Sequence, residues 1–279
     1  MSLASPLGWN GPLANLDKFD SSLHPNGPQI DLTYLEFVTA YGLVGLACVI
    51  AQNAKAGFTT TIRLPESSGV DNYLSRMGFQ RILDTYGCSR SRNLSSVNSA
   101  NLSDRLLELQ VFEDSSGVSE LSNLVWKRLD VPGRISPQSL NAIYMGLGEI
   151  ADNVRYHSGL SWGFIAAQTY RAGTSQERIE FAIGDIGIGI RKGLERLAPS
   201  TDLEAIGLAL EEGVSGLEDA GRGVGISTTV QEVTGLQGFV HLKSGEASVD
   251  VKLERTNDKQ TTYLNGTVIG VVVPCHHTG

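Results

Sequence analysis

Apolar and polar positions along the chain predict two successive α/β units. Between residues 29 and 83, a β-rich stretch, an apolar stretch at helical spacing, a short strand and a short helix follow one another. The first unit is predicted to hold strands at 29–38 and 58–65 and helices at 40–57 and 67–79. The helix at 40–57 ends on Gly57, a residue typical of helix C-termini.

The second unit, residues 105–275, has the pattern of an antiparallel sheet with helices on one face. Its predicted helices are 117–129, 136–158 and 224–235, and its predicted strands are 106–112, 162–171, 178–187, 238–245, 247–254 and 267–274. Ser136 and Pro137 form a typical helix start, because serine caps the helix and proline fits the first helical position.

Two polar segments flank the first unit. Residues 1–28 are rich in Gly, Pro, Asn and Ser and are expected to form an extended or disordered lead-in. Residues 84–104 are rich in Ser and Asn and are expected to link the two units.

Composition narrows the class of protein. Hydrophobic residues make up 41% of the 279-residue chain, which suits a globular fold. A net charge of −8 argues against nucleic-acid binding, which depends on an excess of Lys and Arg. Three cysteines with no CxxC pair favour the reducing cytoplasm, and no apolar run is long enough to span a membrane.

The helix at 136–158 carries a polar face whose side chains could take part in binding or catalysis. Glu149, Asn153 and His157 are spaced four residues apart and therefore share one side of the helix. A carboxylate, an amide and an imidazole in a row can bind metal or move protons. The alternative interpretation is an ordinary solvated helix face.

Glycine-rich turns follow this helix. The sequence DxGxG comes after a strand, GxGxG opens a helix, and a Gly-Thr pair enters the last strand; their residues are Asp185, Gly187, Gly189, Gly221, Gly223, Gly225, Gly266 and Thr267. A glycine-rich turn at a helix start brings backbone N–H groups close to an anion, usually a phosphate. Each turn taken alone is equally compatible with a tight turn that holds no ligand.

The ordered set of ExxxNxxxH, DxGxG, GxGxG and Gly-Thr resembles the GHKL ATPase superfamily over about residues 105–274. This superfamily includes DNA gyrase B subunits, large heat-shock chaperones, histidine kinases and anti-sigma-factor kinases. The resemblance is nearest to the anti-sigma-factor kinases. It implies a Bergerat-type α/β sandwich that binds ATP and Mg²⁺ beneath a flexible lid.

The resemblance also implies roles for individual residues. Asn153 would hold Mg²⁺ against the triphosphate, and Glu149 would orient or deprotonate an attacking water or hydroxyl. Asp185 would accept a hydrogen bond from the exocyclic amine of adenine, supported by Thr267. The glycines would leave room for the nucleotide, with Gly187 and Gly189 beside the base and ribose, and Gly221, Gly223 and Gly225 around the phosphates.

The lid implied by the resemblance covers about residues 191–220. No lysine stands in the place where gyrase-like members bring one to the γ-phosphate. Arg191, Lys192 and Arg222 are the candidate substitutes.

The first unit resembles a STAS domain, the fold of anti-anti-sigma factors, shortened at its amino end. The resemblance rests on IDLTYLEFVTAYGLVGL and on AKAGFTTTIRLPESSGVDNYLSRMGF. In that family the loop before the helix carries a phosphorylated Ser or Thr. Ala40 occupies that position here, so a conventional phospho-switch is not expected, and Thr39 is the alternative acceptor.

Two functional hypotheses remain open at this stage. The first is an ATP- and Mg²⁺-binding regulatory protein in bacterial-type signalling, which binds an adenine nucleotide and a protein partner of unknown identity, with a homodimer left open. The second is a slow ATPase or a Ser/Thr protein kinase that acts on a separate protein. A histidine kinase is disfavoured because the sequence lacks a phospho-accepting helix pair.

Overall fold

In this computed structural model the described residues are 23–24, 27–95, 106–113, 123, 126, 135–211, 225–253 and 255–275. The predicted helix at 117–129 lies outside them apart from Asn123 and Trp126. Residues 1–22 of the expected lead-in also lie outside them.

A four-stranded sheet and three helices form the first unit. The strands, in spatial order, are β1 (Leu23–His24), β2 (Gly27–Asp31), β3 (Thr61–Arg63) and β4 (Ser89–Arg90). Strands β1 and β2 are antiparallel, whereas β2, β3 and β4 are parallel neighbours. The helices are α1 (Ala40–Lys55), α2 (Ser68–Arg76) and α3 (Phe79–Thr85). Helices α1 and α2 confirm the predictions, whereas α3 was not predicted.

Helix α1 is buried along most of its length. Its N-terminus is capped by Thr39, whose Oγ1 accepts a hydrogen bond of 3.0 Å from the N–H of Gly42. The helix is apolar on nearly every side, which is typical of a helix enclosed by other elements. The first unit is therefore built around α1.

The expected linker at 84–104 is partly folded into the first unit. Strand β4 lies within it, and Leu94 is only 7% exposed. The carboxylate of Asp71 accepts a 2.9 Å bond from the N–H of Ser95 and pairs with Arg92. A buried aspartate thus holds this polar segment in place, which the Ser- and Asn-rich composition did not indicate.

A five-stranded antiparallel sheet forms the second unit. Its strands are β5 (Leu106–Glu113), β6 (Trp162–Tyr170), β7 (Arg178–Gly184), β8 (Phe239–Lys252) and β9 (Arg255–Pro274), in the order β5-β6-β7-β9-β8. Its helices are α4 (Pro137–His157), α5 (Gly189–Gly193), α6 (Asp202–Leu210) and α7 (Gly225–Gly235). The predicted antiparallel sheet and the helices at 136–158 and 224–235 are confirmed.

The prediction of three final strands was wrong, because they form two long ones. The segments 238–245 and 247–254 belong to the single strand β8. Gly245 has a φ of 60°, and the pairing of β8 with β9 shifts register on either side of it. Gly245 lies in a β-bulge, which interrupts the pairing without ending the strand. It therefore does not form a turn between two strands.

Helices cover both faces of the five-stranded sheet. Helices α4 and α7 lie on one face, as predicted, and pack against Ile165, Phe181, Ile183, Ile269 and Val271. Side chains of the opposite parity pack against α1, and these are Phe164, Ala166, Ala182 and Val268. The first unit therefore closes the face of the sheet that the sequence-based prediction left open.

Two strand glycines permit the close approach of α1. A Cβ atom at Gly270 would lie 2.6 Å from Cδ2 of Tyr41, and one at Gly184 would lie 2.7 Å from Cγ1 of Val44. Both distances are shorter than real carbon contacts, so only glycine fits at these two positions.

No helix within the described ranges is long and apolar enough to cross a bilayer.

Candidate functional site

Helix α4 carries the first two candidate residues. It begins as predicted, since Oγ of Ser136 accepts a 3.0 Å bond from the N–H of Ser139 and Pro137 opens the helix. Ile150 and Val154 are buried in the core, whereas Glu149 and Asn153 are half-buried. The polar face therefore does not lie freely in solvent. The side chain of His157 is outside the described residues.

Gly225 brings the start of α7 against this face. A Cβ atom at Gly225 would lie 2.7 Å from Oε2 of Glu149 and 3.4 Å from Nδ2 of Asn153. Any larger residue would displace the carboxylate. The positive N-terminal end of the 11-residue helix α7 thus lies beside Glu149 and Asn153. Gly221, Gly223 and Arg222 lie outside the described residues.

The chemistry of these two side chains is adjusted by burial. Burial raises the pKa of Glu149, and the nearby Asp152 carboxylate raises it further. The Nδ2 atom of Asn153 is buried and has no hydrogen-bond partner among the described residues. A buried amide without a partner is uncommon in folded proteins, and a bound ligand, ion or water is one explanation for it.

Asp185 lies where β7 ends, and it is only 3% exposed. Its Oδ1 accepts a 2.7 Å bond from the N–H of Gly187. Burial raises its pKa to about 6, while backbone hydrogen bonds from Gly187 and Thr267 oppose that rise. Asp185 is therefore a buried carboxylate that is mostly ionised at neutral pH.

The loop after Asp185 is joined to the end of α4. The N–H of Ile188 donates a 2.8 Å bond to the carbonyl of Ser158, the residue that follows α4. A Cβ atom at Gly187 would collide with the same carbonyl, so a glycine is needed there. This contact fixes the position of Asp185 relative to the helix that carries Glu149 and Asn153.

Ser244 braces the same loop from β8. Its Oγ accepts a 2.9 Å bond from the N–H of Ile190 and donates a 2.9 Å bond to the carbonyl of Gly266. The hydroxyl of Thr267 contacts this Oγ at 3.3 Å, so its side chain reaches Asp185 only indirectly. Sequence reasoning missed Ser244 and Ser158, because no motif separates them from other serines.

The expected lid at 191–220 is largely helical in its described part. It contains α5 from Arg191 onward, a 3₁₀ turn at Glu195–Leu197 and α6, in which Ala205 and Ile206 are buried. Arg191 donates to the carbonyl of Pro199 at 3.3 Å, and Lys192 pairs with Glu195. Both cations are thus engaged within their own segment. A groove of about 560 Å³ lies against this segment, beyond Ile188.

The residues fit a bound MgATP. Glu149 and Asn153 lie together against Gly225, and the loop that follows the buried carboxylate of Asp185 is bonded to the end of the same helix through Ser158. Mg²⁺ takes oxygen ligands and is usually held by one or two protein groups together with phosphate oxygens. Within the described ranges, no three His, Cys, Asp or Glu residues cluster as a metal site of their own.

Comparisons with known proteins do not show which family this chain belongs to. No family model matches the chain, and no curated protein matches it. Among solved structures, the chain is similar to the histidine kinase domain of the blue-light activated histidine kinase from Erythrobacter litoralis EL346. The identity is 13% over 94% of this chain and 96% of that one, with a TM-score of 0.29. A TM-score this low is too weak to transfer either fold or function.

Proposed function

We propose that this protein is an ATP- and Mg²⁺-binding regulatory protein of the GHKL type. The observation that carries the proposal is the packing of the Gly225 start of α7 against Glu149 and Asn153, whose buried Nδ2 has no hydrogen-bond partner among the described residues. The connection of α4 to the Asp185 loop through Ser158 supports it, because one rigid element then positions both ends of a nucleotide site.

Each residue has a role in this proposal. The amide oxygen of Asn153 ligates Mg²⁺, and the N-terminal end of α7 faces the phosphates. The Asp185 carboxylate accepts from the exocyclic amine of adenine, which would distinguish adenine from guanine. Bound MgATP would supply a transferable phosphoryl group and two negative charges or more at the start of α7.

The two-unit organisation is part of the proposal. A STAS-like unit (29–83) precedes a GHKL unit (105–275), and the lid at 191–220 changes its order with the nucleotide. A change in the lid would alter a surface that a protein partner contacts. Because α6 packs Ala205 and Ile206 into the core, we expect ATP to affect α6 less than the rest of the lid.

Calorimetry with ATP and Mg²⁺ tests the proposal. The Asn153→Ala variant should lose the Mg²⁺-dependent part of ATP binding, because it removes the amide oxygen. Asn141→Ala is the matched control, since Asn141 is exposed on the same helix. Equal Mg²⁺-dependent binding by the wild type and Asn153→Ala would discredit the site.

A second candidate function is a slow ATPase or a Ser/Thr protein kinase, and Glu149 favours it. A carboxylate with a raised pKa beside a Mg²⁺ ligand is the type of group that orients or deprotonates a nucleophile. Release of ADP should fall at least about 100-fold in Glu149→Gln, while ATP binding stays. If wild type and Glu149→Gln both bind ATP and neither releases ADP, the protein is a binding module.

The two enzyme activities differ in their product. An ATPase would release free phosphate, whereas a protein kinase would label a separate protein. Labelled ATP distinguishes them in one assay.

A further inference from the structure

Helix α1 of the first unit lies directly beneath the Asp185 loop. Sγ of Cys48 would lie 2.9 Å from a Cβ atom at Gly184, the residue before Asp185. The pKa of the Cys48 thiol is raised well above its ordinary value, first by burial and then by the charge of Asp185. The carboxylate proposed to recognise adenine is therefore close to an element of the other unit.

Gln52, one turn further along α1, connects to this loop through Asn265. Its Oε1 accepts a 2.8 Å bond from the backbone N–H of Asn265. The Nδ2 of Asn265 donates a 3.2 Å bond to the carbonyl of Ile186, the residue between Asp185 and Gly187. Two hydrogen bonds thus lead from α1 to the backbone of the loop.

The geometry of β9 explains why Asn265 needs a partner from outside the sheet. Ser244 pairs with Thr267 and Gly245 pairs with Leu264, so Asn265 and Gly266 lie in a bulge between these two pairs. A bulged residue loses its partner in the ladder. The N–H of Asn265 is therefore bonded to Gln52 instead of a strand.

The same bulge places Gly266 against Asp185. A Cβ atom at Gly266 would lie 2.7 Å from Oδ1 of Asp185, and the φ of Gly266 is 91°. A shift of the bulge would therefore move the group in contact with the carboxylate. Gln52 is the side chain that holds the bulge from the first unit.

We propose that Gln52 is a positioning residue for adenine recognition, through which the first unit controls the nucleotide loop. This inference rests on the proposed function. It assigns the STAS-like unit a role in supporting the site from behind the sheet, in place of a phosphorylation switch at Ala40. Displacing α1 would release the loop and weaken adenine binding.

The test compares Gln52→Met, which lacks the acceptor, with Gln52→Glu, which keeps it. Gln52→Met should bind ATP about three- to tenfold more weakly and lose part of its preference for ATP over GTP. Gln52→Glu should retain most of both. Lys55→Met is the matched control, because Lys55 is exposed on the last turn of the same helix.

Amide hydrogen exchange gives a second readout that needs no nucleotide. The N–H groups of residues 186–190 should exchange faster in Gln52→Met than in the wild type or Lys55→Met. A purely structural role for Gln52 would lower stability but leave the ratio of ATP to GTP affinity unchanged.

The outcomes separate the two proposals. If the wild type binds ATP selectively and Gln52→Met matches it in affinity and selectivity, the role of Gln52 is refuted and the nucleotide site stands. If the wild type does not bind ATP, the proposed function fails. In that case, faster exchange at residues 186–190 in Gln52→Met would still show that Gln52 holds the loop. Unchanged exchange would overturn this role of Gln52.

Discussion

Asp185 shows how burial and backbone donors set the state of one residue. Burial opposes its charge, whereas N–H groups of Gly187 and Thr267 favour it, and its pKa settles at about 6. Such a carboxylate loses its charge in mildly acidic solution. A ligand that donates a hydrogen bond to it favours the ionised form.

ATP binding should therefore weaken as the pH falls from 7.5 to 5, because the protonated carboxyl is a weaker acceptor and carries an O–H donor of its own. In Asp185→Asn the affinity should be about tenfold or more below that of the wild type at pH 7.5. Its pH dependence should also be smaller. Calorimetry at both pH values measures this, and comparison of the two proteins cancels the titration of ATP itself. Parallel pH profiles would show that Asp185 does not contact the base.

Some site residues could be predicted from the sequence and others could not. Glu149 and Asn153 are close in sequence on one helix, so helical spacing alone predicts that they share a face. Asp185 follows a strand and precedes glycines, which is a local pattern. Gln52 and Ser244 reach the loop from distant elements, and their contacts depend on how α1 and β8 pack against it.

At the scale of elements, the main contact between the two units is that of α1 with the five-stranded sheet. Gly270 on β9 faces Tyr41, and Gly184 on β7 faces Val44 and Cys48. Glycine in the interior of a strand usually marks a bulge or a close approach of another element. The sequence contained this indication of a helix on the second face, together with strands that are apolar at both parities.

Gly270→Ala should destabilise the protein by about 1–3 kcal/mol, because its methyl group would overlap the ring of Tyr41. Gly207→Ala is the control. Gly207 lies in α6 with no atom within 4 Å of its Cβ position, so alanine should be neutral or stabilising there. Urea denaturation measures both changes. Equal stability of the two variants would contradict the packing of α1 against β9.

Glu180 links the two units at the scale of the whole molecule. It belongs to β7, is 0% exposed, and its Oε1 accepts a 2.9 Å bond from the N–H of Tyr41 in the first turn of α1. Burial raises its pKa to about 7, which the hydrogen bond from the N–H of Tyr41 partly opposes. A carboxylate of the second unit thus accepts a hydrogen bond from the first turn of a helix in the first unit.

The pH dependence of stability should report this buried carboxylate. Its pKa in the folded protein, about 7, exceeds its ordinary value of 4.5, so the folded state binds more protons in this interval. Its contribution to stability is complete below pH 4.5 and is lost as the pH rises through 7. The slope is at most about 1.4 kcal/mol per pH unit.

Glu180→Gln removes this titration while keeping an oxygen that can accept from Tyr41. Between pH 5 and 8, the variant should therefore lose less unfolding free energy than the wild type. Chemical denaturation at pH 5, 6.5 and 8 measures both curves. Parallel curves would mean that Glu180 does not titrate at the boundary between the units.

The sequence could not predict how the two units pack against each other. The elements of each unit follow from local spacing and end signals, which are properties of neighbouring residues. Docking of α1 on β6, β7 and β9 depends on the shapes of two surfaces that are more than 100 residues apart in the chain. In the structure the two units are therefore packed together, because α1 of the first unit lies against one face of the sheet of the second.

Calorimetric titration of the full chain with ATP and with GTP, each in the presence of Mg²⁺, tests the central claim most directly. The proposed site of Asp185, Asn153 and Glu149 predicts binding of ATP. GTP should bind about tenfold or more weakly, because guanine has a carbonyl oxygen where adenine has the 6-amino group that would donate to Asp185. Absence of heat with ATP, or equal affinity for both nucleotides, would contradict the assignment of an adenine-nucleotide site.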